Sequence, residues 1–252
     1  MSSLGPNLTG RRILLTRSEE DCADWAARIA ALGAQPVLLP CIRSEAIDAP
    51  ALRAELRAAA AAADWLVFTS QRGVAAFVTL QGARPDARLT PGNRVAVVGS
   101  ATAAAARAAL GRVDLIGPGT AADLAAALVA QADFAAQPDV LIAVAENAGD
   151  ILRQMLQRAG ANCVRFDVYR TVPAPPSGRK RALSTLGADN IVLASPSAVM
   201  GFVHQVDVDT QCAIYTIGQS TTAAARAHGL SVTAQAREPS LEGILEAMQW
   251  RN

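Results

Sequence analysis

Residues Ala63–Phe77, ADWLVFTSQRGVAAF, recur as Ala188–Phe202, ADNIVLASPSAVMGF, so that Ser70 answers to Ser195 at an offset of 125. Each copy is a short apolar run that ends in a hydroxyl-bearing turn and continues as a helical pattern. An apolar run without alternation is the mark of a strand covered on both faces, and a hydroxyl just before periodic apolar residues is the mark of a capped helix. The neighbouring segments repeat in the same order. ILLTRSEED, with its helix ending at Gly33, returns as LIAVAENAGD ending at Gly160, an offset of 127. VAVVGSATAAAARAALG returns as AIYTIGQSTTAAARAHG, in which Gly218 follows Gly99 by 119 positions. Three matched units in register imply two similar lobes, and paired loops on two lobes predict a ligand held in a cleft.

Apolar strands alternate with amphipathic helices along the chain, which predicts an α/β architecture with parallel sheets. Strands are expected at 12–16, 36–39, 66–69, 95–98, 113–115, 140–144, 164–168, 191–194, 214–217 and 231–233. The first helix starts at or next to Ser18, carries Trp25, Ile29 and Leu32 on one face and ends at Gly33. Alanine-rich stretches around Ala58–Ala63 and Ala101–Ala109 favour helix by propensity alone. Two segments in equivalent places, Gln35–Ile47 and Asn162–Ala174, are too long and too mixed for ordinary buried strands. They are expected to cross between the lobes as a two-stranded β connector. One lobe is then residues 1–42 with 171–252, and the other, 43–170, is inserted into it. With only two connecting segments, wide variation in the angle between lobes is expected.

Composition sets the class. The 252 residues are 51% hydrophobic and 18% charged with a formal net charge of +1, as in an ordinary soluble domain pair. There is no broad basic footprint for nucleic acid and no acidic or basic excess for a membrane surface, so any anion must be gripped locally. MSSLGPNLTGRR has no apolar stretch before Ile13, so neither a signal peptide nor a membrane anchor is expected, and a cytoplasmic location follows. The same feature argues against a periplasmic-type binding protein. Cys22, Cys41, Cys163 and Cys212 are scattered without a CxxC pair, and His204 and His228 are the only histidines. No metal site is expected, and the cysteines read as reduced, packed side chains.

The informative loops all fall where a strand ends and a helix begins, where open parallel sheets place their ligands. They carry Thr16-Arg17-Ser18, Thr69-Ser70, Ser100-Ala101-Thr102, Ser195-Pro196-Ser197 and Ser220-Thr221-Thr222. A helix N-terminus presents unpaired N–H groups and a positive dipole end, so it holds carboxylate or phosphate without lysines. For a single loop, a hydroxyl that merely caps its helix explains as much; five loops in pairs favour a polyanionic ligand. Val97-Val98-Gly99-Ser100 lacks the GxGxxG glycines, and no P-loop, GxSxG, HExxH or CxxC occurs. Tyr169 is the polar aromatic of the second connector segment. It is either a hydrogen-bond donor or general acid in the cleft, or a packed ring with its hydroxyl in water. Arg17 either clamps an acidic ligand bidentately or is a solvated side chain at a helix start.

The ordered set Thr16-Arg17, Gly33, Leu38–Pro40, Asp64–Val74 (DWLVFTSQRGV), Val95–Thr102 (VAVVGSAT), Val168–Thr171 (VYRT), Ser195–Val199 (SPSAV) and Ile217–Ala225 (IGQSTTAAA) resembles the uroporphyrinogen-III synthase family over Arg12–Met248. Each motif is unspecific; their order, spacing and duplication carry the likeness. The resemblance implies two α/β lobes on a two-stranded linker, a cleft active site and a cofactor-free reaction. The implied substrate is hydroxymethylbilane, a linear tetrapyrrole with an acetate and a propionate on every ring. It would lose its terminal hydroxyl as water and close through a spirocyclic intermediate with the last ring inverted. The resemblance also implies substrate contacts from Thr16, Ser70, Thr102, Ser195, Ser197 and Thr221, and a role for Tyr169 in departure of the hydroxyl; the reading of the loops adds Arg17, Thr69, Ser100 and Ser220 as substrate-binding candidates. A monomer in transient contact with hydroxymethylbilane synthase is the partner expectation.

The chain departs from the family pattern at three points. Ser100 and Gln219 stand where a GP-x-T loop commonly has proline, and Ala194-Ser195 replaces the usual Thr-Ser. The loop after Val144, commonly with glycine and arginine, reads Ala145-Glu146-Asn147-Ala148-Gly149-Asp150. That acidic loop motivates an alternative reading, a non-catalytic tetrapyrrole- or anion-sensing protein on the same scaffold.

Overall fold

The structure, a computed structural model, describes residues 8–82, 89–131, 134, 137–176 and 178–249. The chain divides into two compact units, Met1–Arg43 with Thr171–Asn252, and Ser44–Arg170. The first unit opens with β1 (Arg12–Leu15), α1 (Glu19–Ala31) and β2 (Gln35–Leu38). β3 (Ile42–Ala46) leads into the second, which continues as α2 (Pro50–Ala62), β4 (Trp65–Phe68), α3 (Gln71–Gln81), β5 (Arg94–Val98) and α4 (Gly99–Leu110). It is completed by β6 (Leu115–Gly117), α5 (Ala121–Val129), β7 (Asp139–Ala145), α6 (Ile151–Arg158) and β8 (Asn162–Pro173). The chain then returns to the first unit with β9 (Arg181–Ala182), α7 (Leu183–Leu186), β10 (Asn190–Leu193), α8 (Pro196–Gln205) and β11 (Val206–Asp207). β12 (Ala213–Thr216), α9 (Gln219–Ala227), β13 (Val232–Gln235) and α10 (Leu241–Gln249) end it.

The first unit holds a parallel sheet ordered β13-β12-β10-β1-β2, the second a sheet ordered β3-β8-β7-β4-β5-β6. The sequence repeat survives in them residue by residue. Shifting by 127 turns the pair Arg12↔Gln35 into Asp139↔Asn162. Shifts of 125 and 119 turn Trp65↔Arg94 into Asn190↔Ala213, and the shift of 119 turns Ala96↔Leu115 into Tyr215↔Ala234. Each unit therefore has the same five-strand order and the same register. Their chain order differs: β4-β5-β6-α5-β7-β8 in the second unit corresponds to β10-β12-β13-α10-β1-β2 in the first. The first unit is thus a circular permutant of the second, with the chain termini where the second has its α5-to-β7 connection.

Local chemistry accounts for the elements. The central strands β4 and β10 are buried throughout because helices cover both faces of a parallel sheet. In α1, Ser18 accepts the Asp21 N–H, Glu19, Glu20 and Asp21 meet the positive dipole end, and Gly33 at φ 85° turns the chain away. Its buried face is Cys22, Trp25 and Ile29; Leu32, expected there, is the C-cap residue and only partly buried.

The two long segments behave differently from each other. Asn162–Pro173 is one twelve-residue strand. Gln35–Ile47 is broken at Leu39-Pro40-Cys41, because Pro40 has no N–H to give a ladder, and the halves join different sheets. β3 runs antiparallel to β8, since Ile47 N–H donates to Val168 and Ala174 N–H to Cys41. β6 lies two residues later than the sequence pattern places it, and the small pairing of β9 with β11 and the single turn of α7 have no sequence signal. One irregularity bears on chemistry: β7 pairs Val144 with Asp167 and then Ala145 with Tyr169, leaving Val168 as a bulge.

Candidate active site

Tyr169 and Ser70 are the two expected site residues that the fold brings into hydrogen-bonding contact. Tyr169 stays in the β8 ladder opposite Ala145, just after the Val168 bulge, and a bulge re-aims the side chain that follows it. The ring packs into the core of the second unit with 8% of the residue exposed, so it is not a connector side chain with its hydroxyl in water. Its Oη lies 3.0 Å from Ser70 Oγ at the carboxyl end of β4. Ser70 is the N-cap of α3 and accepts the Gly73 N–H at 3.1 Å. Ser195, its counterpart, caps α8 in the same way through Ala198 N–H at 3.0 Å.

The other expected contacts fall into two groups. Thr16 is fully buried and donates its hydroxyl to the Val192 carbonyl at 2.7 Å, so that hydroxyl ties β1 to β10. Thr102 and Thr221 sit on the inward faces of α4 and α9, 5% and 1% exposed. Arg17 is partly buried: it pairs with Asp21 at 3.2 Å and lies 4.4 Å over the Trp25 ring. Thr16 and Arg17 follow β1, and Thr102 and Thr221 lie in the first turns of α4 and α9; packing directs the three threonine side chains into the fold. Ser100 and Ser220 are exposed at the starts of α4 and α9, and Thr69 and Ser197 are half-buried.

The helices of these loops differ in a way that matters for anions. Serine hydroxyls cap α1, α3 and α8, whereas α4 and α9 follow Val98 and Gly218 with no side-chain cap. A side chain at Gly99 or Gly218 would meet nothing within 4 Å. Two equivalent helices thus present uncovered first-turn amides beside an exposed serine, the arrangement that binds carboxylates.

The acidic loop between β7 and α6 carries its own cations. Arg165, on β8, donates to Ala148 O at 3.0 Å, Ala145 O at 3.3 Å and Glu146 O at 3.5 Å, and bonds Asp167 at 2.8 Å and Asp150 at 3.3 Å. Arg153 bonds Asp150 at 2.7 Å. The Arg153 hydrogen bond, aided by Arg165, holds the Asp150 carboxyl below its ordinary value against the opposing effect of desolvation. Glu146 is exposed; its backbone N–H bonds Tyr169 O at 2.9 Å and its carbonyl accepts from Arg165. The loop, Thr69 and Arg165 enclose a recess of about 130 Å³ floored by Ile142, Val144 and Leu152. Arg165 escaped the sequence reading, although Arg165-Phe166-Asp167 on an extended segment puts its charges on one face.

A depressed carboxyl stabilises the fold above its unfolded value and ceases to do so as pH falls through the folded one. The Asp150 pairing is therefore intact above the ordinary aspartate value of 3.8 and weakens below it. Asp150→Asn is expected to lose less of its urea midpoint than the native protein between pH 6 and pH 3; equal acid losses in the two proteins would remove Asp150 from the acid response.

The thiols are not nucleophiles in waiting. Burial pushes Cys22 and Cys163 up to about 11 and Cys41 higher still. Among the described residues no three His, Cys, Asp or Glu side chains gather as a metal site. No described helix is long and apolar enough to cross a membrane.

Residues 23–246 match the family model described as uroporphyrinogen-III synthase HemD. A curated relative, the porphyrin biosynthesis protein HemD of Ruminiclostridium josui, is 26% identical over 231 residues, covering 88% of this chain and 45% of the relative. The chain thus spans about half the length of that relative. Among solved structures, the uroporphyrinogen-III synthetase of Helicobacter pylori is 18% identical, with 96% of this chain and 100% of that one covered at a TM-score of 0.52. A uroporphyrinogen III synthase of Thermus thermophilus is 18% identical, with 96% and 98% covered and a TM-score of 0.49. The Helicobacter likeness establishes a shared α/β fold with parallel sheets.

Proposed function

The chain belongs to the uroporphyrinogen-III synthase family, and from that premise we propose that it closes hydroxymethylbilane to uroporphyrinogen III with inversion of ring D. The observation that carries the proposal is the Tyr169 phenol held 3.0 Å from the capped serine of α3, at the carboxyl end of a parallel sheet. That edge is where such sheets bind ligands, and a phenol there can lend a proton to a departing hydroxyl.

The reaction loses water and is redox neutral, so no electron carrier is required. In the proposed sequence Tyr169 gives its proton to the terminal hydroxyl as the C–O bond breaks, releasing water and an azafulvene-type electrophile. The substituted carbon of ring D attacks it to form the spirocycle. Fragmentation and reclosure turn the ring over, and loss of the proton from the newly bonded pyrrole carbon restores the aromatic ring and, directly or through water, the phenol. Because the bilane closes unaided without inversion, the protein's task is to hold one conformation. The uncapped starts of α4 and α9, with Ser100 and Ser220, are proposed to grip substrate carboxylates, with Thr69, Ser195 and Ser197 at the neighbouring loops.

The acidic loop favours a non-catalytic reading less than its sequence does, since Arg153 and Arg165 neutralise Asp150. The two-lobed limits read from the sequence, the monomeric state, the cytoplasmic location and delivery by hydroxymethylbilane synthase belong to the same proposal.

The test is to generate hydroxymethylbilane in situ, add the protein, oxidise the products and separate the porphyrin isomers. Predominantly type III product is expected; type I alone from a folded sample would overturn the proposal.

A further inference from the structure

We infer that Ser70 is a positioning residue that fixes which way the Tyr169 hydroxyl points its hydrogen, a reading that rests on the proposed role of Tyr169 above. A serine hydroxyl has one hydrogen to give and two lone pairs to offer. At Ser70 one lone pair is taken by the Gly73 N–H at 3.1 Å, and among the described residues the other partner is Tyr169 Oη at 3.0 Å. Either oxygen can donate across that contact, and the phenolic oxygen is the acceptor within reach of the Ser70 hydrogen.

The two polarities of this contact differ in consequence. With the phenol donating to Ser70, its proton is consumed inside the protein and the serine hydrogen is left without a protein acceptor. With Ser70 donating, the chain runs Gly73 N–H to Ser70 O–H to Tyr169 Oη, and the hydrogen left without a protein acceptor is the phenolic one, which stays available to a substrate. Charge that develops on the phenol oxygen as it gives up that hydrogen then meets a hydroxyl polarised by the first turn of α3. Such linked bonds strengthen one another, and the helix end favours the negative charge.

The surroundings hold the relay still. A Cβ at Gly73 would lie 3.0 Å from Ala143 O and 3.4 Å from Ser70 Oγ, so glycine lets the first turn of α3 close onto β7. The duplicated half supplies a comparison within the same molecule. Ser195 makes the equivalent cap, but Ile42 stands 127 positions before Tyr169 and brings no hydroxyl.

The test uses the full chain with Ser70→Ala, Ser70→Asp, Tyr169→Phe and the Tyr169→Phe combinations, assayed for type III product. Ser70→Asp keeps a good N-cap acceptor but has no hydrogen to donate at neutral pH. Both serine variants are expected to lower kcat about tenfold with little change in KM, the effect of one hydrogen bond to a group gaining charge, while Ser70→Asp keeps the native urea midpoint. In the Tyr169→Phe background neither is expected to lower kcat further; an equal loss in both backgrounds would make Ser70 a helix cap and nothing more. A readout free of turnover separates this inference from the proposed function. The chain has two tyrosines, so in Tyr215→Phe the Raman tyrosine doublet reports Tyr169 alone. The pattern of a phenol that accepts a hydrogen bond, lost in Ser70→Ala, is expected; a purely donating phenol overturns the inference whether or not the protein makes type III product.

Discussion

Gly201→Ala is expected to destabilise the first unit by about 3 kcal/mol, at the upper end of what overpacking costs together with one strained backbone hydrogen bond. On intrinsic preference the same change within a helix would stabilise by ~0.5–1 kcal/mol, so the sign itself is diagnostic. A Cβ at position 201 would overlap the carbonyl oxygen of Cys41 and lie 2.7 Å from its carbon and 3.1 Å from its Cα. That neighbour is backbone and cannot rotate aside. It is pinned from several directions: Cys41 N–H donates to Thr16 O at 3.2 Å, Leu39 N–H to Leu15 O at 3.0 Å, and Gln205 Nε2 reaches Pro40 O at 3.2 Å from α8 itself. The Cys41 carbonyl also accepts the Ala174 N–H at 2.8 Å. Relief requires α8 to lift away from the segment or that last bond to break. Urea unfolding of the variant measures the cost, and an unchanged or raised midpoint would refute the close approach.

Tyr169→Phe is expected to lower turnover to type III product by about one to two orders of magnitude while leaving the fold intact. A general acid contributes roughly 10²–10⁴-fold, and the effect here falls at or below the bottom of that range because the bilane loses its hydroxyl readily without help. Stability should change little, since the ring stays packed and Ser70 keeps its Gly73 bond. The measurement is kcat and KM with hydroxymethylbilane generated in situ, beside a urea midpoint for the same sample. Native kinetics in the variant would take Tyr169 out of the mechanism and return it to a packing role.

The fold was legible because its causes are local. A fully apolar WLVF and the hydroxyl that follows it specify a covered strand and a capped helix wherever they occur, and repeating them at constant offsets repeats the register as well. Leu32 and the Gln35–Ile47 segment were less legible. The first sits where a helix ends within one residue of its pattern, and the second is cut by a proline whose two flanks found different sheets. The site was legible in position more than in direction. Thr16 follows β1 and Thr102 and Thr221 lie in the first turns of α4 and α9, yet the packing that buries them is set by the tertiary structure. Arg165 was missed because its partners in the loop at 145–150 lie fifteen to twenty residues away.

The sequence by itself determined two similar α/β units with parallel strands and the loops that carry hydroxyls, since period, capping and burial are encoded over a few residues. Only the tertiary structure decided which hydroxyls turn inward, that the acidic loop is neutralised, and that Ser70 meets Tyr169 across 99 positions. Those outcomes depend on a bulge at Val168 and on what packs against each side chain, and neither is encoded by the residues next to it.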